Sequence, residues 1–462
     1  MSKASDNTPL QRVDRETAFS MALSCQRAGN TADAIRIYQQ ILAANMDFAP
    51  AWINCGVALR TLGQFDASVA YLQRGVALKP EDAGALSNLG NALRAAGRLD
   101  ESHKSHLAAI TRDPKVGTFV YNLGLVLRDL GDIDGAIESF DRAELMGFDT
   151  AELKWDRALA LLLRGDLARG FEEYRWRWSM PDARPRNLEG PVWTGETLIG
   201  KTLLVYSEQG FGDTIQFVRY LSLLRDRAAE IVFECEEPLV RLFRASPAFE
   251  HVSVVCRDID PLPNYDAQIA LLSLPYLTST DLVAADSPYL VPPDHRPQIT
   301  NRSRGFHVGI VWAGKPSHNN DHNRSLALSD LAPLLGVSGA YFHSLQLGDP
   351  AETIVTSGFS ALVKDLRPVI KDFADSAGLI RSLDLLISVD TAPAHLAGAL
   401  CRPVWTLLPY APDWRWQTER EDTPWYSSMR LFRQTEPRQW GDVVIRLREA
   451  LEGLIAEGGR PS

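Results

Sequence analysis

Small and apolar positions recur along the first third of the chain with a fixed step. Gly56, Gly90 and Gly124 stand 34 residues apart, and Gly63, Gly97 and Gly131 follow them at the same step. Trp52, Leu86 and Val120 fill one apolar slot of each unit, and Ala109 and Ala143 are matched small positions further on. Pro80 and Pro114 close two of the units, as a residue that cannot continue a helix should. Helical spacing broken by a turn glycine predicts pairs of helices. One pair cannot bury its own apolar face, so stacked neighbours make the stable object. An earlier unit is readable around Gly29, Ala34 and Tyr38 and a later one around Gly165 and Tyr174, giving about five.

This register stops near Trp178, and from Lys201 the texture changes. Apolar runs of strand length (Thr202–Ser207, Glu230–Cys235, Phe306–Ala313, Tyr341–Leu347, Leu383–Asp390, Pro403–Pro409) alternate with helical patterns, one of them through Phe217, Tyr220, Leu221 and Leu224. Such alternation predicts parallel sheets covered by helices. The proline-marked stretch from Asp286 to Thr300 divides this part into two halves. Two such sheets leave a cleft at their strand C-termini, where open α/β folds bind ligands. The predicted organisation is a disordered N-terminus at 1–14, a repeat arm at 15–178, a linker at 179–200, a first α/β domain at 201–295 and a second at 296–462 ending in a helix.

Bulk properties narrow the classes. With 462 residues, 45% hydrophobic and 23% charged, the chain has ordinary globular composition. Its formal charge of −10 argues against non-specific nucleic-acid binding. No run approaches a membrane span, and the polar start Met-Ser-Lys-Ala-Ser-Asp lacks a signal-peptide core. Cys25, Cys55, Cys235, Cys256 and Cys401 are odd in number with no C-x-x-C pair, so reduced thiols in a cytoplasmic protein are expected.

Two ladders ride on the 34-residue step. Asn54, Asn88 and Asn122 form one, and Arg60, Arg94 and Arg128 the other. A row of amides, each donor and acceptor, suits an extended peptide backbone. Beside that stands a plainer reading, in which the Asn belongs to the repeat itself and the Arg is a solvated face.

Three segments of the α/β half carry candidate chemistry. Ser207-Glu208-Gln209-Gly210-Phe211-Gly212-Asp213-Thr214 follows the first strand. Gly210 and Gly212 allow a close approach of backbone to ligand. Asp213 reads either as an N-cap, with Gln216 as capping-box partner, or as a catalytic or binding carboxylate. At Ser388–Ala399 a strand ends at Asp390, Thr391 can cap, Pro393 sits in the first turn, and the helix N-terminus offers amides to a phosphate. His395 lies one turn in, as a ligand-facing group or a packed one. The loop Ala313–Ser325 brings Lys315 and Arg324, suited to phosphate charge, or is simply a polar surface loop. Its His318, Asp321 and His322 match no known metal spacing. Asp258 and Asp260 make a D-x-D of the kind that holds a metal in another transferase fold, which chance alone supplies in so acidic a chain.

Asp390-Thr391-Ala392-Pro393-Ala394-His395-Leu396-Ala397 resembles the Asp-Ser/Thr-Gly-x-x-His-Leu-Ala motif of bacterial heptosyltransferases, which have the GT-B fold. Ala392 replaces the family's Gly. A closer likeness, over nearly the whole chain, is to bacterial proteins that join tetratricopeptide repeats to this module, including flagellin-modifying transferases. It rests on Gly170–Trp178, Ser207–Tyr220, Asn323–Ser325, Ser344–Gln346, Asp372–Asp375, Val389–Ala399, Pro412–Trp416 and Arg430–Gln434. Cys401-Arg402 stands where Gly-Lys is usual, and Ser427 where Pro is usual. Animal O-linked N-acetylglucosamine transferases share the plan, but their catalytic motifs are not evident.

The resemblance implies an α-helical tetratricopeptide solenoid followed by an α/β GT-B module that moves a sugar, without metal, from a nucleotide sugar to Ser/Thr hydroxyls of a bound protein. Asp213 is the implied base, with Glu208 as second choice. Gly210, Gly212, Lys315, Arg324, Ser325, Gln346, Asp390, Thr391 and His395 are implied at the donor, and the Asn and Arg ladders at the acceptor. Flagellin is an acceptor by resemblance only. A nonulosonic acid on CMP is one donor candidate, with UDP-, GDP- and ADP-sugars open. Trp414, Trp416 and Trp425 either stack on the donor or pack together. The rival from another class is a non-catalytic scaffold with a degenerate α/β module.

Overall fold

The computed structural model describes residues 14–181, 183–278, 287–299, 305–316 and 320–458. The predicted disordered N-terminus, apart from Asp14, lies outside the described residues, as does His318. The chain forms two compact units, which part between Ala160 and Leu161.

The first unit is a stack of helix pairs: α1 (Arg15–Arg27), α2 (Thr31–Ala44), α3 (Ala49–Thr61), α4 (Phe65–Leu78), α5 (Ala83–Ala95), α6 (Leu99–Arg112), α7 (Gly117–Leu130), α8 (Ile133–Leu145) and most of α9 (Ala151–Arg164). Each pair turns on a glycine with positive φ: Gly29, Gly63, Gly97 and Gly131 lie between +74° and +89°, where a side chain is strained. The other glycine ladder does different work. A Cβ on Gly56, Gly90 or Gly124 would come within 2.5–2.7 Å of Leu72, His106 or Phe140 on the second helix. These glycines therefore set how closely paired helices approach. Ser68 and Ser102 reinforce the contact by donating to the carbonyls of Gly56 and Gly90 at 2.7 Å.

The second unit opens with the end of α9 and α10 (Leu167–Tyr174). The helical register runs on to Trp178, where the sequence placed the arm's end, but the packing changes earlier. Phe171 stands edge-on to Phe217 and Trp414, and Arg177 grips Glu208 through two hydrogen bonds. The last helix thus belongs by contact to the α/β half. The predicted linker is partly built into a sheet as well. Trp193 is buried, its N–H donates to the Gln268 carbonyl, and β1 already begins at Leu198.

In the second unit follow β1 (Leu198–Tyr206), α11 (Phe211–Phe217), β2 (Ala228–Cys235), α12 (Glu237–Ala245), β3 (Val252–Cys256), β4 (Ala267–Ala270) and α13 (Leu274–Thr278). Then come β5 (Phe306–Val311), α14 (Asp321–Arg324), α15 (Ala332–Leu335), β6 (Ala340–Ser344), α16 (Thr353–Thr356), β7 (Val363–Asp365), α17 (Phe373–Arg381), β8 (Leu385–Val389), α18 (Ala392–Ala399), β9 (Val404–Leu408), β10 (Met429–Arg433) and α19 (Gly441–Ala456). All pairings are parallel, in sheets ordered β3-β2-β1-β4 and β10-β9-β8-β5-β6-β7. The buried runs Leu203–Val205 and Leu385–Val389 suit strands covered on both faces. Order reverses beside β1 in one sheet and between β5 and β8 in the other, and at such switch points the loops leave a crevice. The helix foreseen through Tyr220 and Leu224 continues from α11 as tighter 3₁₀ turns.

One slot of the stack is out of character. Leu72 and Phe140 are apolar, but His106 fills the same place wholly buried, and neither ring nitrogen has a partner among the described residues. Burial, then the charge of Arg94, pushes its pKa down to about 4, against an ordinary 6.5. As pH falls, the unfolded chain takes the proton first, so stability drains away between those two values. His106→Leu is expected to stabilise the chain by about 1–3 kcal/mol at neutral pH, the usual cost of a buried unsatisfied polar group. It should also flatten the loss from pH 7 to pH 5. Urea unfolding of both proteins at the two pH values checks this.

Candidate functional site

The β1–α11 loop and the N-terminus of α18 meet at the C-terminal ends of the two sheets. Their point of contact is Gly212: a Cβ there would stand 3.0 Å from His395 Cδ2 and 3.6 Å from Ala392 Cα. The glycine makes room for protein, where the sequence suggested room for ligand. Gly210 has ordinary extended backbone and occupies the N-cap of α11. Asp213 is not itself the cap. It sits three residues on, and its Oδ2 accepts the Gly210 N–H at 2.8 Å.

The other Asp213 oxygen accepts from Arg415 Nη2 at 2.5 Å. Arg415 is buried. It donates from Nε to Gln216 Oε1 at 2.6 Å and from Nη1 to Asp413 at 2.8 Å, and it lies over the Trp414 ring. Gln216 thus serves Arg415, not the cap of Asp213. Arg415 was missed in the sequence. Two signals were available: its place in the Pro412–Trp416 stretch that carries the resemblance, and the acids Asp213, Asp390 and Asp413, which call for a buried cation.

His395 is buried against Trp416, with rings 5.3 Å apart, and its Nδ1 lies 3.0 Å from the Tyr426 hydroxyl. Its Nε2 is 3.9 Å from Asp390 Oδ1. Burial first, then Arg415, Arg219 and Arg324, hold its pKa well below the ordinary value, so the ring is neutral. Asp390 moves the other way, pushed up to about 6 by burial and by Asp413. The Asp390 carbonyl accepts from Arg324 Nη1 at 3.1 Å, which brings the β5 loop to the same place. Thr391 stands at the N-cap of α18, but its hydroxyl turns back to the Val389 carbonyl instead of capping the helix.

Several predicted residues shape loops. Glu208 gives both oxygens to Arg177 and accepts from the Leu272 N–H. The Gln346 amide oxygen accepts from the N–H groups of Trp312 and Ala313, and its nitrogen donates to the carbonyls of Ala313 and Leu347. Ser325 accepts from the Gly314 N–H and donates to Asp321. Lys315 is exposed. Trp414, Trp416 and Trp425 are buried, the packed alternative. Asp260 accepts from the Cys256 N–H and from Arg244. A cavity of about 500 Å³ near His307, Tyr341 and Lys364 touches none of these groups.

On the arm, the Asn54 amide donates to the Pro50 carbonyl of its own helix, and Asn122 donates to Ser87 one repeat back. Arg94 and Arg128 pair with Asp129 and Asp156, whereas Arg60 makes no such pair among the described residues.

Tetratricopeptide-repeat models match residues 26–89, 87–149 and 121–175. Over 96% of its length the chain is 25% identical to Protein FlbA of Caulobacter vibrioides, covering 74% of that protein. Among solved structures, a MamA fragment from Desulfovibrio magneticus is 22% identical, over 30% of this chain and 77% of its own, with a TM-score of 0.29. Pseudomonas aeruginosa pilF is 21% identical, over 35% of this chain and 74% of its own, with a TM-score of 0.32.

Two outcomes follow from the charges. Asp390→Asn should leave the melting temperature little changed near pH 4, where the native carboxyl is protonated, and raise it above pH 6, where wild type carries a buried charge. Melting curves across that range decide it. Arg415→Gln should destabilise toward the lower end of the roughly 3–5 kcal/mol for breaking a buried pair, because Asp413 is partly solvated. Chemical denaturation reads that loss.

Proposed function

We propose that the chain is a glycosyltransferase that moves a sugar from a nucleotide sugar to a Ser or Thr hydroxyl of a protein held by the repeats. The observation carrying this reading is the convergence of Asp213 with the α18 N-terminus, Asp390, His395 and Arg324 at the switch points of two parallel sheets. The acceptor oxygen bonds to the anomeric carbon as the bond from that carbon to the phosphate oxygen breaks. The hydroxyl proton passes to Asp213, and the departing nucleotide keeps the electron pair. Asp213 is partly exposed and its two bonds leave carboxylate lone pairs for that proton. A positioned base contributes about 10²–10⁴-fold. Arg324 and the first amides of α18 offset the charge growing on phosphate. Arg415 fixes the carboxylate in place. Glu208, closed in by Arg177, suits a supporting role.

The repeats raise the effective concentration of an acceptor by tethering it to the same chain as the catalytic half. Flagellin is a candidate acceptor, and CMP-linked nonulosonic acid a candidate donor, through the resemblance noted above. Among the described residues no His, Cys, Asp and Glu cluster is arranged to hold a metal, and no helix is long and apolar enough to cross a membrane.

The test has two arms. Thermal stability is measured with CMP, UDP, GDP and ADP in turn. One of them should stabilise the chain by about 2.7 kcal/mol at a hundred times its dissociation constant. Intact-mass spectrometry of candidate acceptors should then show added sugar with wild type and none with Asp213→Asn that still binds the nucleotide. Indifference to every nucleotide, with unmodified acceptors, would leave the scaffold reading.

A further inference from the structure

Arg60, Arg94 and Arg128 hold the same slot in three successive repeats, on α3, α5 and α7. Two of them are neutralised from the next repeat. Arg94 Nε donates to Asp129 Oδ2 at 2.6 Å. Arg128 Nη1 donates to Asp156 Oδ1 at 2.7 Å, and Tyr121 donates to the other oxygen of Asp156 at 2.6 Å. The residue that would serve Arg60 as Asp129 serves Arg94 is 34 positions before Asp129. It is Ala95, which is exposed and has no carboxyl.

Arg60 is consequently a half-buried cation without a counter-ion. Its Nε is sealed from water with no acceptor, and it makes no hydrogen bond or ion pair with any described residue. Burial, and the like charge of Arg94 beside it, lower its pKa. A guanidinium in that position carries a desolvation cost that none of the described residues offsets. Its planar fork matches a carboxylate. Along a ladder neutralised at its other two rungs, it is the single point of unbalanced positive charge.

We infer that Arg60 anchors a carboxylate of an acidic segment in the polypeptide that the repeat arm binds. The inference rests on the reading of the arm as an acceptor-binding surface and adds the chemistry of the acceptor: an acidic segment that the repeats engage. The vacancy at Ala95 is what leaves the site open, and the ligand's carboxylate completes the third rung.

The test uses the full chain and fluorescence anisotropy, with a short labelled peptide bearing a run of glutamates and its all-glutamine counterpart. Wild type should prefer the glutamate peptide. Arg60→Gln should weaken that binding about tenfold, in line with one charge-assisted hydrogen bond. Ala95→Asp, a surface change that keeps Arg60 but supplies an internal partner, should weaken it comparably. Equal binding of both peptides, or an Ala95→Asp variant that binds as wild type, overturns the inference. So does displacement of the glutamate peptide by inorganic phosphate at low concentration, which would mark a small-anion site. No sugar donor is present, so loss of this preference alongside intact Asp213-dependent transfer would remove the anchor and spare the proposed activity. Acidic-peptide binding without any transfer would do the reverse.

Discussion

A single buried guanidinium, that of Arg415, holds the α/β half together at its most sensitive point. It leaves the loop after β9 in one sheet and closes on Asp213 and Gln216, which follow β1 in the other. Three further contacts run the same way. Arg219 donates to the Trp425 carbonyl at 2.9 Å, Arg241 spans Asp372 and Asp375, and Gly212 lets His395 come close. Each is a charged or close-packed contact that fails if either side shifts by an ångström or so. Together they keep Asp213, Asp390 and His395 in one place. The segment 287–299 adds a stitch: the N–H groups of Tyr289 and Leu290 reach the Ala399 carbonyl, and Val291 bonds to Ser246.

The electrostatics of that place are set by burial more than by any one partner. Asp390 is driven toward its neutral form and His395 is kept neutral, although they are near neighbours. A low-dielectric setting disfavours the charged form of both, and the arginines nearby add to the effect on His395 while opposing it on Asp390. The arm shows the same economy by other means. A slot repeated every 34 residues is filled by residues of different chemistry, and the fold absorbs each substitution locally. Gly56, Gly90 and Gly124 accept leucine, histidine or phenylalanine beneath them.

Much of the architecture was legible because it is periodic or local. The glycine ladders marked both the turns and the close helix contacts, and the apolar runs marked β1, β5, β8 and β9 within a few residues. What escaped was set by distance along the chain. Arg415 meets Asp213 across 202 positions, so nothing near Asp213 announced it, and Gln216 was naturally read as a capping partner. Gly212 looked like a ligand-facing glycine because the histidine filling its space lies far along the chain, on α18. Thr391 had the right place for a cap, but its hydroxyl accepts from no helix N–H and donates instead to the carbonyl of Val389, the last residue of β8. The arm's end shows the same dependence on distance: α10 continues the repeat pattern, while its aromatic face is committed to Phe217 and Trp414.

His106 has a consequence beyond its own energetics. In a linear array each pair of helices leans only on its neighbours, so cooperativity passes along the stack through successive interfaces. A polar ring at the centre of the α5–α6 hairpin weakens one link of that transmission. A weak hairpin in such an array is felt on both sides, because each neighbouring pair rests one of its own faces on it.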